Sequence, residues 1–94
     1  MRMIDGRTDV PTAATRVQLS VDTSRVRRMY VRSVGGNVGV MYFGGSLVAN
    51  TRGWELAVGG ELTLIFEPDT ISLDTFYADT ATNGNDLAWI AIVE

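Results

Sequence analysis

The chain has 94 residues, room for one domain with a thin core, and its 46% hydrophobic and 20% charged content is that of a globular protein. Cys and His are both absent, which excludes disulfides, structural zinc, thiolate nucleophiles and imidazole bases. A net charge of −3 with a pI of about 4.7 argues against a general nucleic-acid binder.

Residues 1–15 are mixed and polar, with Pro11 and a Thr/Ala stretch from Thr12 to Thr15, and read as an N-terminal arm preceding a single domain over residues 16–94. The arm is either ordered against a partner or a frayed end. It has no apolar stretch of the kind a signal peptide needs, and no run in the chain approaches a membrane span, so a soluble protein of the cytoplasm at synthesis is expected. From Arg16 the pattern has period 2: Val17, Leu19 and Val21 alternate with polar residues as in a half-buried strand. Asp22-Thr23-Ser24 is a turn, and Arg25 to Val34 is a second strand. Gly35-Gly36-Asn37 offers the positive-φ positions of a hairpin turn, leading to a third strand over Val38 to Phe43.

An irregular segment from Gly44 to Gly53 is followed by a short extended piece, Trp54-Glu55-Leu56, and a turn at Gly59-Gly60. Glu61 to Phe66 alternates with Leu62, Leu64 and Phe66 inward, although Ile65 breaks the polarity of the outward face. Pro68 ends that strand, because proline cannot donate to a ladder. Ile71 to Leu73 suits a single helical or 3₁₀ turn, Phe76 and Tyr77 a further strand, Asn83-Gly84 a tight turn and Leu87 to Val93 the last strand. The sum is an all-β protein, a small β-sandwich or jelly-roll-like barrel of six to seven short antiparallel strands.

Val40-Met41-Tyr42-Phe43-Gly44-Gly45-Ser46, then Gly53-Trp54-Glu55-Leu56 through Gly59-Gly60-Glu61-Leu62, then Tyr77-Ala78-Asp79 and Asn83-Gly84-Asn85-Asp86, follow one another in an order with a known counterpart. The pattern resembles small structural proteins of tailed bacteriophages, in particular capsid decoration (cement) proteins. The likeness spans roughly Arg16 to Ile92, with Val58 where the pattern often has Pro. It implies a virion protein on the outer capsid surface that binds the major capsid protein and stabilises the mature lattice. It also implies self-association as a homotrimer. A tail, neck or fibre component, with a host-surface or glycan-binding role, is the other setting the likeness allows.

The chemistry the residues offer is sparse. Without Lys there is neither a Schiff base nor a P-loop, and the paired glycines at 35–36, 44–45 and 59–60 lack the G-x-G-x-x-G spacing and read as turn residues. Glu55, Glu61, Glu67, Asp69 and Asp74 are the carboxylates a glycosidase would draw on, yet no spacing selects a pair, and a non-enzymatic role without cofactor or metal is expected. The segment Asp79 to Asp86 places oxygen ligands around Gly84 but lacks a calcium-loop register; if it held a cation, Asp79 and Asp86 would be the ligands.

Interface candidates are clearer. All eight basic residues are Arg, a residue favoured at interfaces, although genomic composition produces the same usage. Arg25, Arg27, Arg28 and Arg32 form a basic stretch around Tyr30; on a regular strand Arg28, Tyr30 and Arg32 share a face and Arg25 and Arg27 point the other way. It reads as a face gripping acidic surface or as a solvated face paired to local carboxylates; binding nucleic acid would need the opposite net charge. Trp89 alternates with Leu87 and Ala91 and belongs to the core, while Trp54 suits a core plug, the favoured reading, or an exposed binding anchor.

Overall fold

The computed structural model describes residues 1–94. Alternating and β-branched segments separated by Gly, Asn and Pro leave the chain no α-helix, and nine strands form two antiparallel sheets. These are β1 (Arg2–Val10), β2 (Val17–Gln18), β3 (Arg25–Ser33), β4 (Met41–Gly44), β5 (Trp54–Leu56), β6 (Glu61–Ile65), β7 (Ile71–Ser72), β8 (Tyr77–Thr80) and β9 (Asn85–Val93). One sheet has the order β1-β9-β3-β6 with β7 paired to the start of β3, and the other the order β2-β8-β4-β5. The fold is thus a β-sandwich; the 3₁₀ turn expected over Ile71 to Leu73 lies instead at Leu73–Thr75, and Ile71 and Ser72 form β7.

The core lies between the sheets. Met29, Val31, Leu87, Trp89, Ala91 and Val93 face it from the larger sheet, and Met41, Phe43, Leu56 and Ala78 from the smaller. Phe76 stacks between Phe43 at 5.6 Å and Phe66 at 5.9 Å, closing the core beside Leu73. Each large side chain buried this way contributes about 1.5–3 kcal/mol.

Three expectations are corrected. Residues 2–10 are not an arm: they form β1, paired with β9 from Arg2↔Val93 to Val10↔Asn85. The rest of the supposed arm is held too, since Ala13 N–H donates to Asn83 Oδ1 at 2.7 Å. The alternation was disguised because the inward positions Gly6 and Thr8 are small or polar. The Trp89 indole fills the space beneath Gly6, and its Nε1 donates to Thr8 Oγ1 at 3.2 Å.

Gly35-Gly36-Asn37 does not close a hairpin either, because β3 and β4 belong to different sheets. The crossing is tied instead by two amide side chains that imitate strand pairing. Asn37 donates to Asp86 O at 2.7 Å and accepts from Asp86 N at 2.8 Å. Asn85 accepts from Val38 N at 2.8 Å and donates to Val38 O at 2.6 Å and Thr80 Oγ1 at 2.8 Å. The first alternating strand, finally, is cut short: only Val17 and Gln18 pair with β8, Leu19 is buried, and Val21 is exposed.

Candidate functional site

Strand β3 decides what the larger sheet shows to solvent. Its register with β9 jumps from Val26↔Val93 to Arg28↔Ile92, so Arg27 is an extra, bulged residue. The bulge resets the alternation: Val26, Met29, Val31 and Ser33 are all buried. Arg25 therefore lies on the same outer face as Arg28, Tyr30 and Arg32, contrary to the division of faces that strict alternation gives.

Cross-strand register then orders the outer face in rows. The first row runs Met3, Ile92, Arg28, Ile65, the second Asp5, Ile90, Tyr30, Thr63, and the third Arg7, Ala88, Arg32, Glu61. Met3 is 66% exposed, Ile65 62%, Ile90 39% and Tyr30 37%. A sheet face open to water ordinarily carries polar residues at these positions, so these exposed apolar side chains make it the candidate surface. Over small Ala88 the face dips into a hollow of about 420 Å³, walled by Asp5, Tyr30, Arg32, Glu61, Thr63 and Ile90.

The charged groups are interleaved with these residues and are paired within the chain. Arg28 Nε and Arg27 Nε stand 3.3 and 3.6 Å from Glu67 Oε1, and Arg32 Nε stands 3.9 Å from Glu61. Arg25 donates to Thr70 Oγ1 at 3.0 Å and to Thr70 O at 2.9 Å. The hydrogen bond to Glu67 holds the Arg28 guanidinium above its ordinary range, with Tyr30 adding to the effect. These exposed pairs contribute little to stability. The reading of a solvated face paired to local carboxylates thus fits the arginines, and the apolar residues between them are the part left without partners.

At the end of the face Arg7 donates to Asp86 through Nε at 2.6 Å, and Asp9 lies beside the same carboxylate. A hydrogen bond shared with Asp86 raises the Asp9 pKa, helped by desolvation and by the like charge, while Arg7 opposes it. Asp79 is elsewhere, buried in β8, where it accepts from Thr80 N–H at 2.8 Å. The two suspected cation ligands therefore belong to different sheets, each with its own donor. Of the suspected glycosidase carboxylates, Glu61 and Glu67 hold arginines and Asp74 accepts from Ser72 Oγ. No group of three or more acidic residues is gathered in a metal-binding arrangement.

Trp54 is not a core plug. Its side chain is 60% exposed at the rim of the smaller sheet, beyond the buried Phe43 it pairs with. Exposed Leu47 lies in the preceding loop, and Gly53 packs so tightly on Val48 that a Cβ there would stand 2.6 Å from it. Trp89 is buried as expected.

The structure brings Arg25, Arg28, Tyr30 and Arg32 onto one face with the bulged Arg27 beside them, and leaves Trp54 apart on the other sheet. Met3, Asp5, Arg7, Ile90 and Ile92 belong to that face and escaped the sequence reading. One signal for them was available: the unbroken apolar run Leu87 to Val93 leaves Ile90 and Ile92 without a core to face once Leu87, Trp89 and Ala91 point inward. No family model and no curated protein matches this chain.

Proposed function

We propose that the protein is a non-enzymatic decoration (cement) protein of a tailed-phage head, docking on the outer capsid surface through the outer face of the larger sheet. The reading joins the resemblance in the glycine-turn motifs to one structural observation, the exposed Met3, Ile65, Ile90 and Tyr30 spread over two adjacent rows of the outer face among paired charges. Exposed apolar side chains interleaved with arginine suit a protein-binding surface, with Tyr30 the aromatic anchor and Arg28 and Arg32 the polar contacts on either side of it along β3. The partner is the major capsid protein; neither nucleic acid nor a membrane enters the mechanism. Made in the host cytoplasm, the protein binds the expanded lattice in preference to the immature one and stabilises it by mass action, by about 2.7 kcal/mol per site at a free concentration 100 times Kd.

The test is co-sedimentation of the purified protein with matching capsids that lack it, followed by capsid melting. Saturable binding in a fixed ratio to the major capsid protein, with a raised capsid melting temperature, is expected. Absence of binding to capsids of either maturation state contradicts it. Exposed Trp54 favours a second reading, a tail or fibre component that binds host-surface glycan through the rim of the smaller sheet. That reading predicts binding to cells or sugars without a capsid, and its loss in Trp54→Ala.

A further inference from the structure

Strand β1 pairs with β9 along its whole length and with no strand on its other side. Long free edges are normally blunted by Pro, charges of one sign, above all Lys, a bulge or brevity, whereas charges of alternating sign can pair across a two-fold contact. The other edges are shorter: β2 has two residues, β5 three and β6 five. β1 has nine residues, neither Pro nor Lys, and an unbroken register. Its outward residues alternate in charge after Met3, as Asp5, Arg7 and Asp9, all exposed.

We propose that β1 pairs antiparallel with β1 of a second copy of this chain, about a two-fold axis at Gly6. In such a pair the residue at the axis faces itself and the others face partners at equal distance on either side. An axis at Asp5 sets Asp5 against itself, and one at Arg7 sets Arg7 against itself and Asp5 against Asp9. An axis at Thr8 matches Arg7 with Asp9 but spans residues 6–10 only. The axis at Gly6 sets Asp5 against Arg7 of the second copy and Arg7 against its Asp5, and it alone pairs every residue from 2 to 10. Opposite charges and full length thus select the same register. Asp5 makes no ion pair within its own chain, and Arg7, although bonded to Asp86, keeps a side chain 61% exposed. A glycine at the axis suits close approach of two backbones.

The two four-strand paths join into one continuous sheet, and because the axis is perpendicular to it, both outer faces point the same way. Two equal binding surfaces side by side raise avidity for any repeating lattice. Pairing uses up the β1 edge in a single isologous contact that closes at two copies, in place of the three implied by the resemblance.

The test uses the protein alone, so it is independent of any capsid. Light scattering after size exclusion should give twice the chain mass of 10.2 kDa. Asp5→Arg, which sets Arg against Arg, should weaken the dimer by about tenfold or more with an unchanged far-UV spectrum. Arg7→Asp should do the same. An equimolar mixture of these two variants restores both opposite-charge pairs and should recover the dimer mass. A monomer or trimer mass for the wild type, an Asp5→Arg dimer as tight as wild type, or a mixture that stays monomeric overturns the proposal. Should Arg7→Asp fail to fold, the wild-type mass and Asp5→Arg still decide it.

Discussion

Asn85 shows how one side chain joins the sheets. Its three hydrogen bonds, to both backbone groups of Val38 and to Thr80 Oγ1, are made at 2% exposure, where water cannot replace them. Asn85→Ala should therefore cost about 2–4 kcal/mol, from lost bonds and stranded partners, read as a lower urea midpoint with unchanged slope. Asp9 makes a prediction about pH. Its pKa is raised in the folded state, chiefly by the hydrogen bond shared with Asp86, so the folded protein binds more protons than the unfolded chain between the two values. The stabilisation is thus fully present below the unfolded value of 3.8 and is lost as pH rises through the higher folded one. Asp22, lowered by its hydrogen bonds to Ser24, works in the opposite sense: its contribution is present above 3.8 and lost as pH falls through its folded value. Asp9→Asn keeps a hydrogen-bonding group beside Asp86 without the charge. Its melting temperature should equal or exceed wild type at pH 7, with the advantage shrinking towards pH 3.

At the scale of the element, β1 and β3 explain what was and was not legible. β3 and β9 were legible as strands because they are dense in large apolar and β-branched residues. β1 was hidden because Trp89 from the neighbouring strand fills the core beneath Gly6, so the strand needs no large residue there. The β3 bulge was equally invisible, since Arg27 and Arg28 carry no local mark of which is the extra residue, and only pairing with β9 decides it. A Cβ on Gly6 would stand 2.4 Å from Trp89 Cζ2. Gly6→Ala should accordingly destabilise the fold by about 1–3 kcal/mol through overpacking. Amide hydrogen exchange should show the loss first in β1, with β3, flanked by strands on both sides, protected longest; uniform protection across the sheet would contradict this.

For the whole molecule, composition and turn spacing were enough to read an all-β sandwich, because a chain without helix periodicity or Cys must build its core from stacked sheets. Sheet membership was not readable: Gly35-Gly36-Asn37 and Asn83-Gly84 look like hairpin turns, yet both carry the chain from one sheet to the other. The proposed docking face was legible only in part for the same reason. Arg28, Tyr30 and Arg32 are neighbours on one strand, whereas Met3, Ile65 and Ile90 join them only through pairing with β1, β6 and β9. The most direct test of that face compares two substitutions on opposite sheets in capsid co-sedimentation, after far-UV spectra confirm that both variants fold. Ile90→Glu places a charge at the centre of the outer face and should abolish capsid binding, while Trp54→Ala on the other sheet should leave it at the wild-type level. Undiminished binding by Ile90→Glu together with loss in Trp54→Ala would contradict the account and move the docking surface to the smaller sheet.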